Sequence, residues 1–325
     1  MADLASSLPD AKSTGPGSIS IEPVGVFCGA EITGIDLTRP LNGEEIQLVA
    51  AAHAEHGVIV FPDQNPTADQ LMAFGRQFGE LSVHPFSTND AETPELIVFD
   101  NKEGNPPPPT DVWHSDETFR ERPAMGTILS AKIIPSPGGD TSFCGMTGLY
   151  DGLSDRLQRF LSGLEAIHDF LPFKGLFPRT EEGQNRLRHF ETLYPPATHP
   201  VVRVHPMTGR KAIYVNRAFT VRIKGMDEEE GRMILDFLYR RTLRHEYHYR
   251  HRWRPGTVVF WDNRSVQHSA LHDYYPGRRK LDRVTLLGTR PSGDAPAADI
   301  SELRRDLSPP LSNFENTRAL RQNDA

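Results

Sequence analysis

Five side chains in this 325-residue sequence have the types and spacing for metal and anion chemistry: His114, Asp116, His268, Arg279 and Arg283. His114 and Asp116 flank Ser115 in Val112-Trp113-His114-Ser115-Asp116. Two residues apart on a strand or extended turn, both point the same way. His268 follows seven residues after Trp261, beyond the apolar run Val258-Val259-Phe260-Trp261. Two imidazoles and one carboxylate on one face of an ion suit non-haem Fe(II) and leave coordination positions open. The His-x-acid pattern recurs in His53-Ala54-Glu55 and His189-Phe190-Glu191. Those two lie in segments that read as helices, where residues i and i+2 do not face each other.

Arg279, Leu281, Arg283, Thr285 and Leu287 alternate with the spacing of one strand face. The two arginines stand roughly 13 Å apart at ~3.3 Å per residue. Inward-facing arginines are costly unless anions meet them. The competing reading is an edge strand that turns its arginines to solvent and buries Val284 and Leu286. Thr141, after Gly138-Gly139-Asp140, reads by itself as the threonine that starts a strand. The same three ligands could also hold zinc around an activated water, in a hydrolase. A zinc hydrolase would need neither Arg279 nor Thr141.

The elements that must position these residues are mostly short strands. Ile19 to Val24 alternates, and Ala30 to Leu37 reads as a second strand. A helix capped by Asn42 is expected to about His56, then a buried strand over Gly57 to Phe61, then a helix capped by Thr67. Strands are expected over Leu96 to Phe99 and Gly126 to Ile133, with a stiff proline run, Asn105 to Pro109, leading to His114. Leu149 to Leu164 reads as one helix, and Leu171 to Pro196 as a long irregular polar stretch of the kind used for lids. Val201 to His205 and Lys211 to Val215 flank a hairpin turn, and Asp227 to Thr242 reads as an amphipathic helix. The run Tyr247 to Arg254 looks like a basic-aromatic surface. Its strict alternation instead predicts a strand with Tyr247, Tyr249, His251 and Trp253 packed and His248, Arg250, Arg252 and Arg254 solvated. The pattern predicts a mainly β fold with helical insertions, a sandwich or barrel, over residues 18–291. Residues 1–17 are expected as a flexible N-terminal tail and 292–325 as a C-terminal extension with at most a short helix near Ile300 to Leu307.

The net charge of −7 gives no bulk electrostatic case for nucleic acid or an anionic membrane. Two cysteines, Cys28 and Cys144, make no disulfide scaffold and read as packing residues. Neither a signal peptide nor a run of membrane-spanning length is found, so a cytoplasmic protein is expected.

His114-Ser115-Asp116, Gly138-Gly139-Asp140-Thr141, Trp261-Asp262-Asn263, His268 and Arg278-Arg279…Arg283 together resemble the taurine dioxygenase family of Fe(II)- and 2-oxoglutarate-dependent oxygenases. That family also contains alkylsulfatases and aryloxyalkanoate dioxygenases. The resemblance covers roughly residues 19 to 291. It implies a double-stranded β-helix, a jelly-roll variant, and an Fe(II) centre at His114, Asp116 and His268. It implies that Thr141 and Arg279 hold the distal carboxylate of the cosubstrate 2-oxoglutarate, and that O₂ is the oxidant. Succinate and CO₂ would be released as a small organic anion (a sulfonate such as taurine, a sulfate ester or an aryloxyalkanoate) is hydroxylated. Arg283, His84 and Phe219 match the substrate pocket. Two positions depart from the taurine members, which carry Tyr at Ser87 and Asn at Thr110. Both replacements are smaller and imply a roomier pocket. A homo-oligomer, dimer or tetramer, is also implied.

Overall fold

The computed structural model describes residues 18–86, 92–106 and 110–293. Both expected tails (the C-terminal one apart from its first two residues, 292 and 293), Ser87 and the prolines 107–109 lie outside the described residues.

In chain order, β1 (Ser20–Pro23) and β2 (Ala30–Thr33) lead into α1 (Gly43–His56), β3 (Val58–Phe61), α2 (Ala68–Arg76), β4 (Leu96–Asn101) and β5 (Ala124–Ile133). Asn42 caps α1 by accepting from the Glu45 backbone N–H at 3.0 Å, while the Glu45 carboxylate accepts from the Asn42 N–H at 2.9 Å. Thr67 and Gln70 form the same reciprocal cap on α2. Next come β6 (Thr141–Gly145), α3 (Met146–Asp151), α4 (Asp155–Leu161), β7 (Glu165–His168), α5 (Leu171–Lys174) and α6 (Glu181–Leu193). After them follow β8 (Ala197–Pro200), β9 (Val202–Val204), β10 (Lys211–Ile213), β11 (Thr220–Ile223) and α7 (Glu228–Arg241). The chain closes with β12 (His248–His251), β13 (Val258–Asp262), β14 (Val266–Ala270) and β15 (Arg279–Leu287).

Two sheets carry the site. The larger has the order β1-β2-β3-β13-β5-β15-β4, and the smaller has β12-β6-β14. Phe143 of the smaller sheet packs on Trp261 of the larger at 5.6 Å between rings. Around that contact Val58, Val60, Leu129, Val259, Val266 and Leu281 form a core shared by both sheets. On the outer face of the larger sheet, Ile59, Phe61, Ile128, Phe260 and Val284 pack against α1 and α2. The mainly β fold agrees with the strand pattern and the jelly-roll arrangement with the family resemblance, and no helix among the described residues is long and apolar enough to cross a membrane.

Two local expectations fail. The single helix over Leu149 to Leu164 is instead α3 and α4, because Gly152 closes the first and Ser154 caps the second by accepting from the Leu157 N–H. The stretch Leu171 to Pro196 is not irregular. Thr180 caps the 13-residue α6, and its sparse apolar residues Leu187 and Phe190, with Tyr194 after it, pack on one aromatic cluster. Few apolar residues suffice for a helix that buries only one narrow stripe. The Tyr247 to Arg254 reading holds in part: Tyr247, His251 and Trp253 are buried and Arg250, Arg252 and Arg254 exposed. Only His248–His251 is a strand, however, Tyr249 is half-buried, and His248, expected in solvent, is half-buried against the Trp113 ring at 4.7 Å.

Candidate active site

Backbone pairing builds the site's centre. The His114 N–H donates to the His268 carbonyl at 3.1 Å, and the His268 N–H donates back to His114 at 2.8 Å. This isolated antiparallel bridge sets the two imidazoles side by side, 4.3 Å between ring centres. Asp116 Oδ1 lies 3.7 Å from His114 Nε2 and 3.9 Å from His268 Nε2. One ligand atom from each of the three residues falls within 4.8 Å of the others, a cluster fit for a single ion. His114 Nδ1 donates to the Val112 carbonyl at 2.7 Å, which fixes the tautomer and turns the Nε2 lone pair toward Asp116. The ring of His268 is held by packing instead, against Trp261 at 4.7 Å and Phe143 at 6.2 Å.

The protonation states suit a cation. Burial, and then His114, push the His268 imidazole down to about 3, and burial also lowers His114. Burial alone would raise the Asp116 carboxyl, but Arg283, both imidazoles and the Thr127 hydroxyl together hold it below the usual carboxylate range. Two neutral imidazoles beside one carboxylate are the form a divalent metal requires.

Thr141 and the two arginines line a cavity of about 370 Å³ together with Thr110, His114, Trp261, His268 and Tyr274. Arg279 Nε donates to the Gly139 carbonyl at 3.0 Å, and its Nη2 lies 3.5 Å from Thr141 Oγ1. Gly138 and Gly139 take φ of 98° and 75°, and a Cβ on Gly139 would stand 3.1 Å from Arg279 Cδ. The Gly-Gly turn is thus what lets backbone reach the guanidinium. Burial lowers the Arg279 pKa to about 10, which leaves it charged. Arg283 points elsewhere. Its Nη2 sits 2.9 Å from Asp116 Oδ1 and its Nε donates to Thr285 Oγ1 at 3.1 Å. The strand-face reading therefore holds: both arginines face inward and line one cavity. Val284 and Leu286 are buried on the other face.

Thr110 Oγ1 is 3.4 Å from His272 Nε2 at the cavity wall. His84 and Phe219 do not line that cavity. Phe219 stands edge-on to His114 at 6.2 Å and joins Phe119, Phe170 and Phe173 in an aromatic cluster. His84 packs edge-on to Phe173 at 5.4 Å, and burial followed by Arg283 pushes its imidazole down to about 3. Both therefore belong to a wall beside the metal triad, in which Phe119 and Phe219 meet Phe173 of α5 and Phe190 of α6.

Three contacts carry residues the sequence reading left without a role. Thr127 donates to Asp116 Oδ2 at 2.7 Å, and Asn263 Nδ2 stands 3.2 Å from the same oxygen. Trp253 Nε1 donates to Thr141 Oγ1 at 3.0 Å. Thr127 sits in an apolar strand and Trp253 on a packed face, so nothing local marked them. Only the pairing of β5 with β13, which sets Thr127 opposite Trp261 and beside Asn263, gives that threonine a role, since β5 also carries Ser130.

The model of the family described as "Taurine catabolism dioxygenase TauD, TfdA family" matches residues 20–285. Among relatives, an alpha-ketoglutarate-dependent 2,4-dichlorophenoxyacetate dioxygenase of Cupriavidus pinatubonensis is 32% identical over 286 residues, which cover 83% of this chain and 98% of the relative. An alpha-ketoglutarate-dependent sulfate ester dioxygenase of Pseudomonas putida is 32% identical over 290 residues, covering 87% and 95%. A crystal structure of a taurine dioxygenase from Burkholderia xenovorans superposes with a TM-score of 0.72 at 33% identity, covering 85% of this chain and 91% of that one. These relatives all carry dioxygenase names, which leaves the zinc-hydrolase reading without support.

Proposed function

This chain belongs to the TauD, TfdA family, and from that premise we propose that it oxidises a small organic anion with an apolar body, bulkier than taurine. The chain is a 2-oxoglutarate-dependent dioxygenase, an oxidoreductase using Fe(II), 2-oxoglutarate (alpha-ketoglutarate) and O₂. Together these supply an oxidant able to break a substrate C–H bond, with succinate and CO₂ as coproducts.

His114, Asp116 and His268 would hold the metal, their neutral imidazoles and ionised carboxylate matching its needs. Arg279 and Thr141 would take the distal carboxylate of 2-oxoglutarate. Trp253 already donates to Thr141 Oγ1, so the threonine's own proton is left to point into the cavity. Arg283 would take the acidic head of the substrate, with His84 beside it, since its planar fork pairs bidentately with a carboxylate or sulfonate. Thr110 borders the space that this head would enter. Phe219 and the aromatics behind it would orient the apolar body and keep water from the reacting carbon. Hydroxylation next to a sulfonate, sulfate ester or ether oxygen gives a product that falls apart.

The observation that carries the substrate class is the aromatic wall: Phe219 faces His114, and Phe119, Phe170 and Phe173 lie behind it. An apolar wall favours a substrate with an apolar body over the short polar chain of taurine. The test is succinate release with Fe(II) against a panel of alkyl sulfonates, sulfate esters, aryloxyalkanoates and taurine. The expected result is a kcat/KM for taurine well below that of the bulkier anions. A taurine kcat/KM above every other member would overturn the reading.

A further inference from the structure

Asp116 offers its two oxygens to different surroundings. Oδ1 faces both imidazoles and Arg283, at 3.7, 3.9 and 2.9 Å. Oδ2 is turned the other way and receives the Thr127 hydroxyl at 2.7 Å and the Asn263 amide at 3.2 Å. Asn263 is itself tied down. Its Nδ2 also lies 3.0 Å from Thr127 Oγ1, and its Oδ1 accepts from the Asp116 backbone N–H at 3.0 Å and from Trp261 Nε1 at 3.1 Å. Thr127 and Asn263 are fully buried, so no water competes for these bonds.

We propose that Thr127 and Asn263 are positioning residues that confine the Asp116 carboxylate to one oxygen toward the metal. The inference rests on the metal assignment above. A carboxylate can bind a cation through one oxygen or both. Two imidazoles and one carboxylate oxygen leave three positions open at a six-coordinate ion, enough for a two-point chelate and one more ligand. Were Oδ2 free to turn, it would occupy one of the three and compete with the cosubstrate. The chain prevents this by giving Oδ2 two donors and no room to exchange them, since Asn263 is held at both ends of its amide. Asn263 also grips the backbone N–H of the same aspartate, so side chain and main chain of Asp116 are fixed by one residue. The effect of the clamp is on the vacancy count at the metal and so on cosubstrate binding, rather than on metal affinity.

That separation defines the experiment. Thr127→Val keeps the shape and removes the hydroxyl; Thr127→Ser keeps the hydroxyl. Mn(II) affinity of the metal-free full chain and 2-oxoglutarate affinity of the Mn(II)-loaded chain are measured anaerobically by calorimetry, with melting temperature alongside. For Thr127→Val the expected result is Mn(II) affinity equal to or tighter than wild type and 2-oxoglutarate affinity weaker by about tenfold or more, with Thr127→Ser restoring it. Parallel loss of Mn(II) affinity, 2-oxoglutarate affinity and melting temperature would reduce the pair to a structural role and overturn the proposal. So would unchanged 2-oxoglutarate affinity in Thr127→Val. Failure of the wild-type chain to bind Mn(II) would instead overturn the metal assignment itself.

Discussion

His114 and His268 are cross-strand neighbours, joined by reciprocal backbone hydrogen bonds of 3.1 and 2.8 Å, although much of the chain separates them in sequence. Their imidazoles therefore do not depend on a flexible loop for their spacing. With Asp116, His114→Ala, Asp116→Ala and His268→Ala should each abolish succinate formation. Chelation should abolish it in the wild type, and Fe(II) should restore it while Zn(II) should not. Activity with Zn(II) and no 2-oxoglutarate would contradict the metal assignment.

Arg279 and Arg283 should fail differently. Arg279→Ala leaves a buried distal carboxylate unpaired, and the expected loss in 2-oxoglutarate binding is roughly 3–5 kcal/mol with any substrate. Arg283→Ala should spare most of that affinity, raise KM for the anionic substrate and lower the ratio of product to succinate, because a loosely held substrate is misplaced. Anaerobic binding and product counting on both variants decide it. Equal loss of cosubstrate binding in both would show that the two arginines form one clamp.

Trp253→Phe removes the N–H that donates to Thr141 Oγ1 while keeping an aromatic in its buried place. The threonine hydroxyl can then turn away from the cosubstrate. The expected cost is about 1 kcal/mol, seen as a several-fold higher KM for 2-oxoglutarate with kcat nearly unchanged. A fall in kcat with KM unmoved would mean the indole acts elsewhere.

Histidines outside the metal site should make the fold acid-sensitive. Burial pushes His53, His199 and His205 down to about 4 each, and so keeps them neutral. The unfolded chain takes up protons near the ordinary histidine pKa of about 6.5, whereas the folded chain refuses them until about 4. Their contribution is complete above pH 7 and is lost as pH falls from about 6.5 toward 4, by up to about 1.4 kcal/mol per pH unit for each ring. Urea midpoints of the metal-free chain at pH 7.5 and 5.0 test this, and equal midpoints would refute it.

Much of this site was legible because its residues obey short-range rules. The period of two placed Arg279 and Arg283 on one face, and an extended rather than helical setting singled out, among three His-x-acid matches, the pair that the fold clusters with His268. The strands near β13 and β15 were equally plain. What stayed hidden depended on contacts between distant segments. The sequence could not show that Thr127 and Asn263 meet at Asp116 Oδ2, because β5 and the turn after β13 are brought together only by sheet pairing. The extent of α6 was missed for a different reason, only the surroundings of His189 having read as helical: its stripe of Leu187 and Phe190 is too narrow to outweigh the charges around it, and becomes meaningful only against Phe86 and Phe119.

The inward face of β15 acts as a graduated rod. One mark, Arg279, is locked by Gly139, Thr141 and the ring of Tyr274, which stands 5.9 Å from its guanidinium. The other mark, Arg283, meets Asp116, Thr285 and the ring of Phe99, 5.8 Å from its guanidinium. On the proposed site assignment, Phe219, Phe173 or Thr110 can vary, and with them the length and girth of the molecule accepted, while the cosubstrate keeps its socket. A catalyst so divided can change its diet without relearning how to burn.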